Sequence, residues 1–158
     1  MKNKEPHTAI IGVGNLLLKD EGIGIHAIQA LQSLDLPPHV ELIDGGTSPD
    51  LIAYTGAVEK VIIIDAAKAG GPPGAIYRFL PDDLSAEKYE LASSHEMGVL
   101  ENLRLLALTG REPPETVIIG IEPAEIAPGM ELSSVLQQKI PDIIRIVMEE
   151  IKMPTDTP

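Results

Sequence analysis

Thr8-Ala9-Ile10-Ile11-Gly12-Val13-Gly14-Asn15-Leu16-Leu17-Leu18-Lys19-Asp20-Glu21-Gly22-Ile23-Gly24 is the stretch that decides the fold of this chain. It opens as an almost wholly apolar run, the pattern of a strand buried on both faces. It closes where Ile23, Ala27, Ala30, Leu31 and Leu34 set up one apolar stripe, which predicts a helix stopped by Pro37-Pro38. The loop between them holds Gly12, Gly14, Gly22 and Gly24, an asparagine and two adjacent acids. Glycine lets a backbone take positive φ or approach a ligand closely. Open α/β sheets place their ligands at βα loops of this kind. A dinucleotide fingerprint would need its third glycine where Leu17 stands, and Asp20 and Glu21 would repel a pyrophosphate, so nucleotide binding is disfavoured. Asp20 as the helix N-cap and Glu21 in the first turn also have a plain structural explanation in the helix dipole. On pattern alone that explanation stands level with a functional role for Glu21.

Working outward, Val40-Glu41-Leu42-Ile43-Asp44 and Lys60-Val61-Ile62-Ile63-Ile64-Asp65 read as further strands, with a short helix over Asp50 to Ala57 between them. Right-handed crossovers make such strands parallel. Asp44 and Asp65 then lie at the carboxyl ends of their strands, on the same rim as the opening loop. Three acids on one rim are more than a fold needs. Ala66 to Ala75 is turn-rich, and Ile76 to Leu80 alternates like a strand near an edge. Pro81 to Ala92 is acidic and irregular. Ser93-Ser94-His95-Glu96 forms a capping box ahead of the stripe Met97, Leu100, Leu103 and Ala107, which Gly110 ends. Thr116 to Ile121 is the last core strand, closed by Glu122-Pro123. A helix starts near Ser133, is kinked or restarted by Pro141, and turns Ile143, Ile144, Val147 and Ile151 to the sheet. The expectation is a parallel core of four strands with helices on both faces, in one domain spanning residues 1–158.

Composition narrows the function. The formal charge of −12 argues against nucleic acid or an anionic membrane surface, which need a basic face. With no cysteine, disulfides, thiolate zinc sites and a cysteine nucleophile are excluded. Met1 to His7 is polar and carries no hydrophobic signal core, and runs such as Val61 to Ile64 are far too short to span a bilayer. The expected location is the cytoplasm.

Of the four histidines, His7 and His39 fall in exposed contexts and His26 on a polar helix face. His95 begins a helix at a loop junction able to face the rim with Glu21 and Asp65. Helix-start histidines are more often structural, but with two carboxylates an imidazole suits a first-row divalent ion and leaves positions open. No nucleophile elbow, phosphate-binding loop or His-Glu-x-x-His helix is present. The residues alone therefore give an α/β domain with a candidate carboxylate–histidine metal site.

Gly12-Val13-Gly14-Asn15-Leu16-Leu17 with Asp20-Glu21-Gly22-Ile23-Gly24, then Asp44-Gly45-Gly46-Thr47, Ile64-Asp65-Ala66, Ser94-His95 with Gly98, and Gly120-Ile121-Glu122-Pro123 carry a further signal in their order and spacing. Along nearly its whole length the chain resembles the nickel–iron hydrogenase maturation endopeptidases. The resemblance implies a cytoplasmic, monomeric endopeptidase that removes the C-terminal extension of a hydrogenase large-subunit precursor after nickel insertion. It implies a three-layer α/β/α sandwich of phosphorylase/hydrolase-like type, on a mixed, mostly parallel five-stranded sheet whose antiparallel strand is Ile76 to Leu80. It matches the metal-contacting residues to Glu21, Asp65 and His95, and leaves Asp44 as a possible helper base. Two uses of the metal remain open. A resident metal could activate water, with Asp44 assisting. Alternatively the nickel belongs to the substrate and the three residues read whether it has been loaded. The second is favoured, because two carboxylates and one imidazole hold a metal poorly unaided. The rival class is a non-catalytic nickel- or nucleotide-binding module on the same sheet.

Overall fold

Every run of Val and Ile read as a strand forms one. The computed structural model describes residues 7–47, 58–84, 90–91, 99–110 and 113–152. Its strands are β1 (Thr8–Gly12), β2 (Val40–Asp44), β3 (Lys60–Lys68), β4 (Ile76–Phe79), β5 (Glu90–Leu91) and β6 (Glu115–Ile121). Its helices are α1 (Ile23–Leu31), the single turn α2 (Pro81–Leu84), α3 (Val99–Leu108) and α4 (Ser134–Lys152). The strand order is β2-β1-β3-β6-β4. β1 pairs parallel with β2 and β3, and β3 parallel with β6, while β4 runs antiparallel to β6. This is the mixed sheet that the resemblance implied, with the two-residue β5 added antiparallel to the far end of β3.

Strand alternation divides the core in two. Ile10, Ile62, Ile64, Val117 and Ile119 face α1 and α4, which bring Ile23, Ala27, Leu31, Leu136, Ile143 and Val147. Ala9, Ile11, Val61, Ile63 and Ile118 face the other way and close over Phe79 and Leu91. Both faces are sealed, since Ile62 and Ile63 are each 0% exposed. The architecture is the three-layer α/β/α sandwich.

Local details depart from the sequence expectations. Helix α1 stops at Leu31, and Leu34 is left exposed. Its N-cap is Gly22 and has no side-chain hydrogen bond, so Asp20 does not cap it. β2 is the end strand of the order and only half-buried, whereas β3 continues three residues past Asp65. Helix α4 runs unbroken through Pro141. A mid-helix proline costs roughly 3 kcal/mol, but Leu136 on one side of it and Ile143, Val147 and Ile151 on the other share one buried cluster. The helix predicted over Asp50 to Ala57 and the capping box Ser93 to Glu96 lie outside the described residues. Among the described residues, no helix is long and apolar enough to cross a membrane.

The amino-terminal end of the sheet is closed by charge. Lys60, 1% exposed, donates from Nζ to the Glu150 carbonyl at 2.9 Å and pairs with Glu150 Oε1 at 3.1 Å. Arg78 Nε and Nη2 reach the same carboxylate, both at 2.9 Å. Burial opposes ionisation of Glu150, but the hydrogen bonds and charges of Arg78 and Lys60 outweigh it and hold its pKa below the ordinary value. A carboxyl depressed in the folded state stabilises the fold above its unfolded pKa, and that contribution disappears as pH falls through the folded value. Glu150→Gln should therefore cost about 3–5 kcal/mol near neutrality, because it strands buried Lys60. Wild type should lose stability as pH drops below the ordinary Glu value of 4.5, and the variant much less steeply. Urea midpoints across that range measure both; a wild-type midpoint in the variant would contradict the assignment.

Candidate functional site

The site is built at the carboxyl ends of β1, β2 and β3 by backbone lying on backbone. Val13 N–H donates to the Ile64 carbonyl at 2.9 Å, Gly45 N–H to Gly12 at 2.8 Å and Gly14 N–H to Gly46 at 2.8 Å. A Cβ on Gly24 would overlap the carbonyl oxygens of Ile64 and Val13, so α1 begins directly against β1 and β3. Gly14, at φ +145°, lies against the Glu21 carbonyl, which a Cβ would overlap. Asn15 Oδ1 accepts from Leu17 N–H at 2.9 Å and tightens the turn. The 3-10 turn Lys19–Gly22 then presents Glu21.

Glu21 is half-buried on the wall of a pocket of about 110 Å³, with Ala66, Lys68, Glu90, Pro123 and Ile126 around it. A cleft enclosing a small molecule has roughly 300–1,000 Å³, so this one suits a single side chain. Asp65 is 0% exposed, one residue before Ala66. Ala66 belongs to the core cluster under α1 and α4, and Ala67 to the opposite cluster, so alternation sends Asp65 to the Ala67 face. Asp65 follows Ile64, the partner of Gly12, and is opposite Gly120 in β6. Glu21 and Asp65 thus share the rim, and Leu91, which is on the Ala67 face with Asp65, also lines the pocket beside Glu21. Asp44 ends β2 on the same rim, exposed, with Oδ1 accepting Gly46 N–H at 2.9 Å. His95 lies outside the described residues. Among those described, no group of three or more His, Asp or Glu side chains is placed to hold a metal ion.

Two rim acids have roles that the sequence reading missed. Asp20, 0% exposed, has both oxygens bonded to the loop that leads into α4. Glu122 Oε1 accepts from Ala69 N–H and Gly71 N–H at 3.0 Å and from the Tyr77 hydroxyl at 2.9 Å, holding the β3–β4 turn. His26 is half-buried, with Nε2 buried and without a hydrogen bond. Desolvation lowers its pKa, against the opposing pull of the Met130 carbonyl and of Asp20.

The space beside the glycines is filled by the chain's own carbonyl groups, so the loop forms no phosphate cradle, against the nucleotide-binding alternative. Comparison with known proteins points elsewhere. A family model described as hydrogenase maturation protease matches residues 25–150, which includes Asp44, Asp65 and His95 but begins after Glu21. The hydrogenase 2 maturation protease of Escherichia coli is 30% identical over 146 residues, covering 90% of this chain and 89% of that protein. The hydrogenase expression/formation protein HoxM of Cupriavidus necator is 37% identical over 142 residues, covering 85% and 68%. The structure of the hydrogenase maturating endopeptidase HybD from E. coli superposes with a TM-score of 0.80 at 27% identity, covering 92% of each chain.

The close approach at Gly24 is itself open to test. Gly24→Ala should lower stability by about 3 kcal/mol, the upper end of overpacking costs, because the new methyl meets backbone and not a movable side chain. A urea midpoint near that of wild type would show that α1 can back away from β3.

Proposed function

The chain belongs to the hydrogenase maturation protease family, peptidases that process the C-terminal end of the hydrogenase large subunit, and on that premise we propose that Glu21, Asp65 and His95 recognise the nickel carried by the precursor. The observation behind this is the placing of Glu21. Its neighbour Asp20 is committed to holding a loop, whereas Glu21 is turned to the pocket beside the strand that bears Asp65. Asp65 lies on the Ala67 face, and His95 would close the set from the segment ahead of α3.

In this reading nickel is cargo of the substrate. Two carboxylates and an imidazole leave open coordination positions for the precursor's own ligands. A loaded precursor gains these contacts and is held with its C-terminal segment at the rim, while an unloaded one is not. Hydrolysis then needs a water and a base. Asp44 is an exposed rim carboxylate with Oδ1 kept in place by Gly46 N–H, which suits it to accept the proton. The reading extends to a monomer acting in the cytoplasm.

Glu21→Gln, Asp65→Asn and His95→Ala should each slow cleavage of a nickel-loaded precursor by at least the roughly 10–100-fold seen when a metal's supporting residues are lost. Glu21→Gln and His95→Ala should change stability by no more than about 0.5 kcal/mol. The paired measurements are a cleavage time course and a denaturation midpoint. Cleavage at the wild-type rate in either variant would remove that residue from the mechanism. Cleavage of a nickel-free precursor on adding metal to the enzyme alone would make the metal resident, not cargo.

A further inference from the structure

The geometry points to Asp20 as a positioning residue, whose buried carboxylate sets the loop over residues 122–133 as the wall of the pocket facing Glu21. This inference rests on reading that pocket as the place where the precursor is recognised. Asp20 Oδ2 accepts from Ala124 N–H at 2.9 Å, from Glu125 N–H at 2.8 Å and from Ser133 Oγ at 2.8 Å; Oδ1 accepts from Ser133 N–H at 2.8 Å. Residues 124 and 133 are the two ends of the loop, so one carboxylate draws its neck together. Between them come Ile126, on the pocket, and Gly129, bridged to Leu18.

The loop has no helix or strand of its own to hold it, so its shape depends on what it is bonded to. Beyond the Asp20 carboxylate, single bonds hold it: Asp20 N–H donates to the Glu125 carbonyl at 3.2 Å, Gly74 N–H to that of Glu122 at 2.8 Å, Glu122 N–H to that of Ala75 at 2.9 Å and Gln137 Nε2 to that of Leu132 at 3.1 Å. Lys19 N–H donates to the Gly129 carbonyl at 2.9 Å, and Gly129 N–H to that of Leu17 at 2.9 Å. The Lys19–Glu125 ion pair, at 3.0 Å, is solvent-exposed and contributes little. The Met130 carbonyl is a hydrogen-bond partner of His26. Asp20 is the only one of these anchors that is wholly buried and reaches both ends of the loop. It is also joined to Glu21 by one peptide bond, so loop wall and pocket acid are set by the same turn.

The anchor also fixes the start of α4. Ser133 Oγ donates to Asp20 and accepts from Leu136 N–H at 3.4 Å, which makes Ser133 the N-cap. Asp20 therefore serves the positive end of α4 and not of α1, where its sequence neighbourhood had placed it.

Three backbone N–H groups converge on the two oxygens, so the group must accept at both. Asparagine is nearly the same shape, but its NH2 would face an N–H donor in either orientation. Asp20→Asn should raise KM for a nickel-loaded precursor by ~10-fold or more, the loss expected of a charge-assisted hydrogen bond, with kcat within about threefold. Ser133→Ala removes the hydroxyl bond to Asp20 together with the longer cap from Leu136 N–H, keeps the three backbone N–H bonds to Asp20, and should shift KM in the same direction by less. Glu125→Gln removes only the exposed ion pair and should cleave like wild type. Amide hydrogen exchange at Ala124, Glu125 and Ser133 should quicken in Asp20→Asn, a readout independent of cleavage. If Asp20→Asn does not fold, the KM and exchange of Ser133→Ala decide.

Unchanged KM in folded Asp20→Asn would reduce Asp20 to a stability residue, and unchanged exchange would show that it does not hold the loop. Failure of wild type to cleave the precursor would instead defeat the reading of function, leaving exchange to decide whether Asp20 holds the loop.

Discussion

The structure depends on one contact between backbone and backbone. Helix α1 starts so close to the ends of β1 and β3 that only hydrogen fits at position 24. That approach leaves the intervening residues no room to bulge outward, and they fold into a short turn over the strand ends. The turn carries Asp20 and Glu21 in consecutive positions, one buried under the protein and one on a pocket. Tight packing here is not a stability device alone. It converts a sequence spacing into a fixed displacement between an acid and a strand end.

The rim is acidic for two separate reasons. Asp20 and Glu122 use their carboxylates as multiple acceptors for loop N–H groups that no strand or helix would otherwise satisfy. Asp44 does the same once, within its own turn. Glu21 and Asp65 are placed differently, one half-exposed and one sealed in the sheet. The concentration of acids at one end of the sheet therefore does not by itself mark a metal site. Fixed loops come first, and they give the remaining acids a defined position.

Much of this was legible in the sequence. Unbroken Val and Ile runs announced β1, β3 and β6, since strands buried on both faces need no alternation. Alternation at Ile76 to Leu80 announced an edge, and β4 ends the strand order. The role of Asp20 was not legible. Its partners lie more than a hundred residues away at Ala124 and Ser133, and local pattern made it an α1 cap. The same holds for Lys60, whose partner Glu150 closes on it only after α4 has docked. Periodicity reports which face is buried, but not which distant donor a carboxylate meets. The stop of α1 at Leu31 was missed because Leu34 continues the stripe on paper while facing solvent in the fold. Glu21 and Asp65 could be named from motifs, but not the pocket beside Glu21, whose lining includes Leu91 from the strand that pairs with the far end of β3.

Among the described residues, the strand order of the main sheet ends at β2 and at β4. Outer strands are templates on which a second chain can add itself, and proteins defend them with charge. β2 has Glu41 and Asp44 exposed, so two copies meeting along it would bring like charges together. β4 is four residues long and has exposed Arg78 tethered across to Glu150, which places a salt-bridged side chain on a strand that offers little length to pair. The ion cluster that shuts one end of the core thus also holds a charged side chain along a border of the sheet.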